Sequence, residues 1–141
     1  MKTIAILTAT RAEFGLLEPI IKKLKAQSDL ETKVLVTGAH LSPDFGLTYK
    51  NIEAAGIKIE KKVEMQLSSD SPAAVTKSMA LAMLGFSEYF QEHKPDALLV
   101  LGDRYETLAV CIAAMNERIP IFHLYGGETT EGALDEAIRH C

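Results

Sequence analysis

The feature that most restricts what this chain can fold into is an alternation of two periods. Short apolar runs rich in β-branched residues fall near Lys2 to Thr8, Lys33 to Thr37, Ile57 to Val63, Ala97 to Leu101 and Ile119 to Leu124. Between them lie longer segments whose apolar residues recur every three or four positions. Strands alternating with helices predict an α/β fold, a doubly wound parallel sheet of Rossmann-like type with helices on both faces. The first, fourth and fifth runs read as strands buried on both sides.

The intervening segments carry their own signals. Phe14 to Ala26 sets Leu16, Leu17, Ile20, Ile21 and Leu24 against Lys22, Lys23 and Lys25, an amphipathic helix. A helix from Pro43 to Ala55, closing at Gly56, is expected in the second crossover. Ser71-Pro72, a capping residue before a first-turn proline, opens a longer helix running to about His93. Its stripe of Val75, Met79, Met83, Phe86 and Phe90 predicts packing on the sheet or on a partner subunit.

Composition narrows the function. The chain has 141 residues, of which 48% are apolar, enough for one domain with a real core. Its 19 acidic and 15 basic residues give a net charge of −4 with no basic tract, so nucleic acid and anionic lipid are not expected partners. No apolar run approaches the roughly 20 residues of a membrane span, and Met1-Lys2-Thr3 leads straight into a strand, so a cytoplasmic location is expected. Cys111 and Cys141 give neither a disulfide framework nor metal spacing, and no metal or cofactor is expected. The final "ETTEGALDEAIRHC" opens a helix near Leu134 or Asp135 that stops within two turns, so the chain reads as cut off.

In a parallel sheet the residues just after each strand collect along one rim, and ligands bind where the strand order reverses. A strand order of 3-2-1-4-5 would place that reversal between the first and fourth strands and bring Arg11 and Arg104 together. Two guanidiniums at helix N-termini suit a phosphate or diphosphate, with Asp103 beside them as a base, an acid or a sugar-hydroxyl acceptor. The structural alternative is that Asp103 caps the next helix and Arg104 pairs with a neighbouring carboxylate. Glu13 fits a first-turn acid complementing the helix dipole as well as a ligand. Gly126-Gly127 fits a tight turn or a close backbone approach, and His40 and His123 lie at the same rim. "TATRAEFG", residues 8 to 15, matches neither G-x-G-x-x-G nor Walker A, which weakens dinucleotide and P-loop readings.

"TATRAEFG", "VTGAHLS", "LGDRYETL" and "HLYGGETTEGALDEAIRH", in this order and spacing, resemble the N-terminal part of the hydrolysing UDP-N-acetylglucosamine 2-epimerases. These are sialic-acid pathway enzymes, with relatives acting on bacterial diamino sugars. The resemblance spans essentially the whole chain. It implies one half of a GT-B-like two-domain fold, with residues 1–141 as the N-terminal domain and the C-terminal nucleotide-binding domain absent. It further implies a UDP-sugar substrate and a reaction in which the C2 proton and UDP leave to give a glycal, which water then hydrates. By that resemblance Arg11 and Arg104, with Tyr125, Gly126 and Gly127, contact substrate, while Asp103, Asp135, Glu128 and His123 are the catalytic candidates. Several members carry glutamate two residues after the histidine, where this chain has Tyr125. With an unperturbed pKa of about 10, tyrosine is a poor base at neutral pH. A fragment with one wall of its cleft is expected to be inactive alone, and its uncovered apolar face to favour a homo-oligomer. The rival readings are half of a GT-B glycosyltransferase, or a non-catalytic nucleotide-sugar binding module.

Overall fold

The computed structural model describes residues 1–65, 69–124, 138 and 141. Its five strands are β1 (Lys2–Thr8), β2 (Leu30–Thr37), β3 (Ile59–Val63), β4 (Ala97–Leu101) and β5 (Ile121–Leu124). They form one sheet in the order β3-β2-β1-β4-β5, with every pairing parallel. The order reverses between β1 and β4, as expected, so Thr8, Thr37, Leu101 and Leu124 all end strands on one rim. β1 and β4 match their expected bounds, while β2 begins three residues early and β3 and β5 start two residues late.

Side-chain alternation along the strands divides the core into two layers. Ala5, Leu7, Leu35, Leu98 and Val100 face α3 (Pro72–Glu92) and α4 (Tyr105–Asn116), meeting Phe86, Phe90 and Val110. Ile6, Val34, Val36, Leu99 and Leu101 face the other way, toward α1 (Arg11–Lys25) and α2 (Tyr49–Ala54), meeting Phe14, Leu17, Ile21 and Ile52. Helices therefore cover both faces, the doubly wound arrangement that the alternating periods predict.

Three expectations change in detail. The second crossover is not one helix. The backbone makes 3-10 turns at Gly38–Leu41 and Pro43–Phe45, reverses at Gly46 with φ +82°, and only then forms α2. Glycine's access to the left-handed region ends the second turn and prevents a continuous helix. The methionine stripe of α3 is also not the centre of its contact. Ala74, Ser78, Ala82, Phe86, Tyr89 and Phe90 are buried, while Met79 and Met83 pack at the margin. Small residues on the early turns let the helix approach the sheet, leaving longer side chains to flank it.

β5 is not buried on both faces either. It pairs only with β4, and Phe122 is 57% exposed. Phe122 stands opposite Leu99, whose face is covered by α1 and α2 over the other end of the sheet. Among the described residues β5 is thus an edge strand whose oily sequence is only half used.

α3 approaches β3 closely at Gly85, where an added Cβ would lie 2.5 Å from Val63 Cγ1. A β-branched valine cannot rotate away from that contact. Gly85→Ala is expected to lower stability by about 1–3 kcal/mol in a denaturant titration, and Val63→Ala in the same chain should recover part of the loss.

Candidate active site at the carboxyl rim

The rim is built from turns that satisfy their own backbone groups. At the start of α1, Thr10 and Glu13 form a reciprocal capping box: the Glu13 N–H donates to Thr10 Oγ1 at 3.2 Å, and Glu13 Oε1 accepts from the Thr10 N–H at 3.3 Å. The same oxygen accepts from the Ala9 N–H at 2.9 Å. Glu13 is buried by this arrangement, and its carboxyl is held above the usual range. Burial is the main cause, and the charge of Glu106 adds to it, against the pull of the two N–H groups and of Arg104.

β4 ends at Gly102, which adopts φ +88°. Its N–H donates to the Leu124 carbonyl, and its own carbonyl accepts from His123 Nε2, so this residue ties the ends of β4 and β5 together. Because a carbonyl can only accept, Nε2 is the donor in this contact. A Cβ on Gly102 would sit 3.8 Å from Glu13 Oε2, so the α1 turn and the β4 turn lie close together.

Arg104 occupies the N-cap position of α4 without a side-chain cap. Its Nε donates to Glu106 Oε2 at 3.0 Å and its Nη2 to Glu106 Oε1 at 3.2 Å. The side chain of Glu106 is fully buried and that of Arg104 is 44% exposed. The guanidinium is therefore fixed from below and open above, with three of its five N–H groups left over from the pair. Across the rim, Gly38 at φ +62° passes so close that a Cβ there would lie 3.1 Å from the Ala9 carbonyl oxygen and 3.4 Å from Glu106 Cγ. Carboxylates from α1 and α4 thus lie under one arginine at the strand-order reversal.

His40 holds the β1 and β2 turns together. It is fully buried, with Nε2 2.8 Å from Thr8 Oγ1 and Nδ1 2.9 Å from Thr48 Oγ1, and its N–H donates to the Ala9 carbonyl. Burial lowers its pKa to about 4, so it is neutral near pH 7. His40 is a strut.

The other sequence-selected residues fall as follows. Arg11 is the first residue of α1 and exposed, and Asp103 is half-buried in the turn between β4 and α4. Asp103 does not occupy the helix cap, whereas the pairing of Arg104 with a nearby carboxylate is observed. His123 is exposed at the end of β5. Tyr125, Gly126, Gly127, Glu128 and Asp135 lie outside the described residues. A hollow of about 300 Å³ opens beside the rim, lined by Gly102, Thr107, Leu108, Cys111, Ile121 and His123 together with Ile138 and Cys141. Burial pushes the Cys111 thiol up to about 11, which makes it a packing residue rather than a nucleophile. The described residues contain no group of histidines, cysteines and acids arranged to hold a metal, and no helix long and apolar enough to cross a membrane.

Comparison with known proteins decides the family. The profile described as UDP-N-acetylglucosamine 2-epimerase matches residues 22–141. The chain belongs to that family. It is 47% identical over 139 residues to the GDP/UDP-N,N'-diacetylbacillosamine 2-epimerase (hydrolyzing) of Campylobacter jejuni, covering 99% of this chain and 36% of the relative. It is 37% identical over 140 residues to the UDP-N,N'-diacetylbacillosamine 2-epimerase (hydrolyzing) of Legionella pneumophila, covering 99% and 37%. The chain thus spans little more than a third of the length of these relatives. In fold it is similar to the UDP-GlcNAc 2-epimerase from Neisseria meningitidis, solved with UDP-GlcNAc bound, with a TM-score of 0.82 and 24% identity over 99% of this chain and 37% of that one.

Sequence reasoning passed over Glu106, while its reading of Glu13 as a first-turn acid holds and the capping box adds the partner it lacked. Thr10-x-x-Glu13 is a legible capping-box spacing. Glu106 carried a weaker signal, a lone acid in the apolar run of α4, and its partnership with Arg104 needed the turn geometry.

The neutral His40 has a consequence for stability. Its folded pKa lies below its unfolded value of 6.5, so between pH 6.5 and 4 the unfolded chain binds a proton that the folded chain refuses. Stability should therefore fall as pH falls through that window, by at most about 1.4 kcal/mol per pH unit. Glu13, with its raised folded pKa, works in the opposite sense. The difference in urea midpoint between wild type and His40→Asn across the window isolates the histidine, and a pH-independent difference would contradict this account.

Proposed function

We propose that the protein is a hydrolysing 2-epimerase of a UDP-activated N-acetylated sugar, and that this chain is the N-terminal wall of its substrate cleft. The observation that carries the reading is the 47% identity, over 99% of the chain, to a hydrolysing 2-epimerase. The rim chemistry is compatible with it. A second α/β domain, matching the remaining length of the relatives, would hold the uridine and close the cleft against water. We place the enzyme in the cytoplasm as a homo-oligomer supplying a sugar for nonulosonate synthesis.

The reaction must break an unactivated C–H bond. A base removes the proton on C2 while the C1–O bond breaks, its electron pair leaving with UDP and the C–H pair forming the C1=C2 bond of a glycal. Water then adds its oxygen to C1, and a proton reaches C2 from the opposite face, giving the free 2-epimeric sugar. Departure of the diphosphate is the step that fixed cations assist, because charge grows on it in the transition state. We assign Arg104, at the strand-order reversal, to that role, with Arg11 at the start of α1 as a second substrate cation. Asp103 and His123 are assigned to proton transfer at the sugar. Glu128 and Asp135 are assigned as further acids, and Tyr125, Gly126 and Gly127 as sugar contacts.

Both diacetylbacillosamine 2-epimerases are more alike to this chain than the Neisseria meningitidis UDP-N-acetylglucosamine 2-epimerase, which is 33% identical over 141 residues. This favours a 2,4-diacetamido sugar over N-acetylglucosamine. Incubating the complete protein with each UDP-sugar in deuterated water, without any acceptor, should release UDP and a 2-epimeric sugar carrying one deuterium at C2, faster for the diacetamido substrate. UDP release that depends on an added acceptor would instead mark a glycosyltransferase. Asp103→Asn should lower kcat by about 100-fold or more, and an unchanged kcat would remove Asp103 from the chemistry.

A further inference from the structure

We infer that Glu106 is a positioning residue for the substrate diphosphate, acting entirely through Arg104. The inference rests on the assignment of Arg104 to the diphosphate and extends it to Glu106, a residue of the "LGDRYETL" stretch to which the resemblance gave no role.

The geometry separates the two partners. Glu106 has no exposed surface, so it cannot touch a ligand in the cleft, yet both its oxygens are engaged by the one guanidinium. A two-point contact fixes the plane of the guanidinium as well as its position, which a single hydrogen bond would not do. Arg104 is the residue next but one before Glu106 and caps no backbone group through its side chain. A helix-end arginine without this anchor would sample many rotamers in water. The anchor itself is walled in: Gly38 leaves room for Glu106 Cγ, and the buried Glu13 adds a second acid nearby. Held by Glu106 and close enough to feel the charge of Glu13, the Arg104 side chain still keeps 44% of its surface exposed.

This arrangement also answers a difficulty. A carboxylate paired with the phosphate-binding arginine reduces its net charge, so Glu106 would weaken an anion site if charge alone mattered. Its full burial against the guanidinium makes sense when orientation matters more. A preorganised fork meets two phosphate oxygens without first losing side-chain freedom.

The test is a double-mutant cycle on the complete protein, read as UDP affinity by calorimetry and as kcat and KM for the UDP-sugar. Glu106→Gln keeps the shape but places an amide N–H₂ against the guanidinium, and should weaken UDP binding by about 10-fold. Arg104→Ala should weaken it at least as much. The decisive result is the pair: in the Arg104→Ala background, Glu106→Gln should add less than a 2-fold change, because nothing remains to be oriented. Full additivity of the two losses, or tighter UDP binding by Glu106→Gln, would overturn the inference. A thermal melt distinguishes a merely structural role, which would lower Tm while leaving UDP affinity unchanged, and that result would also overturn it. Turnover reports on the reaction, and UDP binding reports on the role of Glu106. Wild-type protein that binds UDP, shows the non-additive pair and yet releases no sugar would refute the epimerase reading and leave the role of Glu106 standing. Normal turnover with an additive pair would do the reverse.

Discussion

Everything at the functional end of this molecule depends on the reversal of strand order between β1 and β4. Crossovers on either side of that point run to opposite faces of the sheet, so α1 and α4 begin at the rim from neighbouring strands. The space between them has no secondary-structure hydrogen bonds to fill it. It must be closed by side chains or occupied by a ligand. Here it is lined from below by Glu13 and Glu106, with Arg104 above them.

Those buried acids are tolerated because each has partners. Glu13 accepts from two backbone N–H groups at the start of a helix, and Glu106 accepts from a guanidinium. Unpaired, either would carry a heavy desolvation penalty. The polar layer under the rim therefore continues the packing of the core rather than interrupting it, and His40 extends it by bridging Thr8 to Thr48. A cation held on such a base reorganises little when charge develops on a leaving group, which is where electrostatic catalysis gains most.

The proposed reaction would give these details a use. Expelling a nucleoside diphosphate together with a carbon-bound proton demands fixed positive charge on one side of the sugar and proton-transfer groups on the other. The described rim holds a fixed arginine, an aspartate in the adjacent turn and a histidine whose Nε2 bonds the Gly102 carbonyl. At the edge of the described sheet β5 leaves Phe122 exposed, and the chain spans little more than a third of the length of its relatives.

Much of the fold was legible in the residues themselves. Hydrophobic periodicity is a local property, so β1, β4, the amphipathic α1 and the Ser71-Pro72 start of α3 could be read directly. The capping box at Thr10 and Glu13 is equally local. Burial is not local. The apolar run of β5 looks like a central strand, yet only its place at the edge of the described sheet decides that Phe122 is exposed. The crossover after β2 failed as a single helix because Gly46 adopts a left-handed backbone that composition does not announce. The partner of Arg104 was undecided for the same reason: charge and spacing admit either a ligand or a neighbouring acid. Only the turn at Gly102 and the burial of Glu106 determine that the arginine is anchored on one side and open on the other. The sequence determined which residues could form strands, helices and caps. Tertiary structure decided which charges share a low-dielectric space, because that depends on distances between segments remote along the chain.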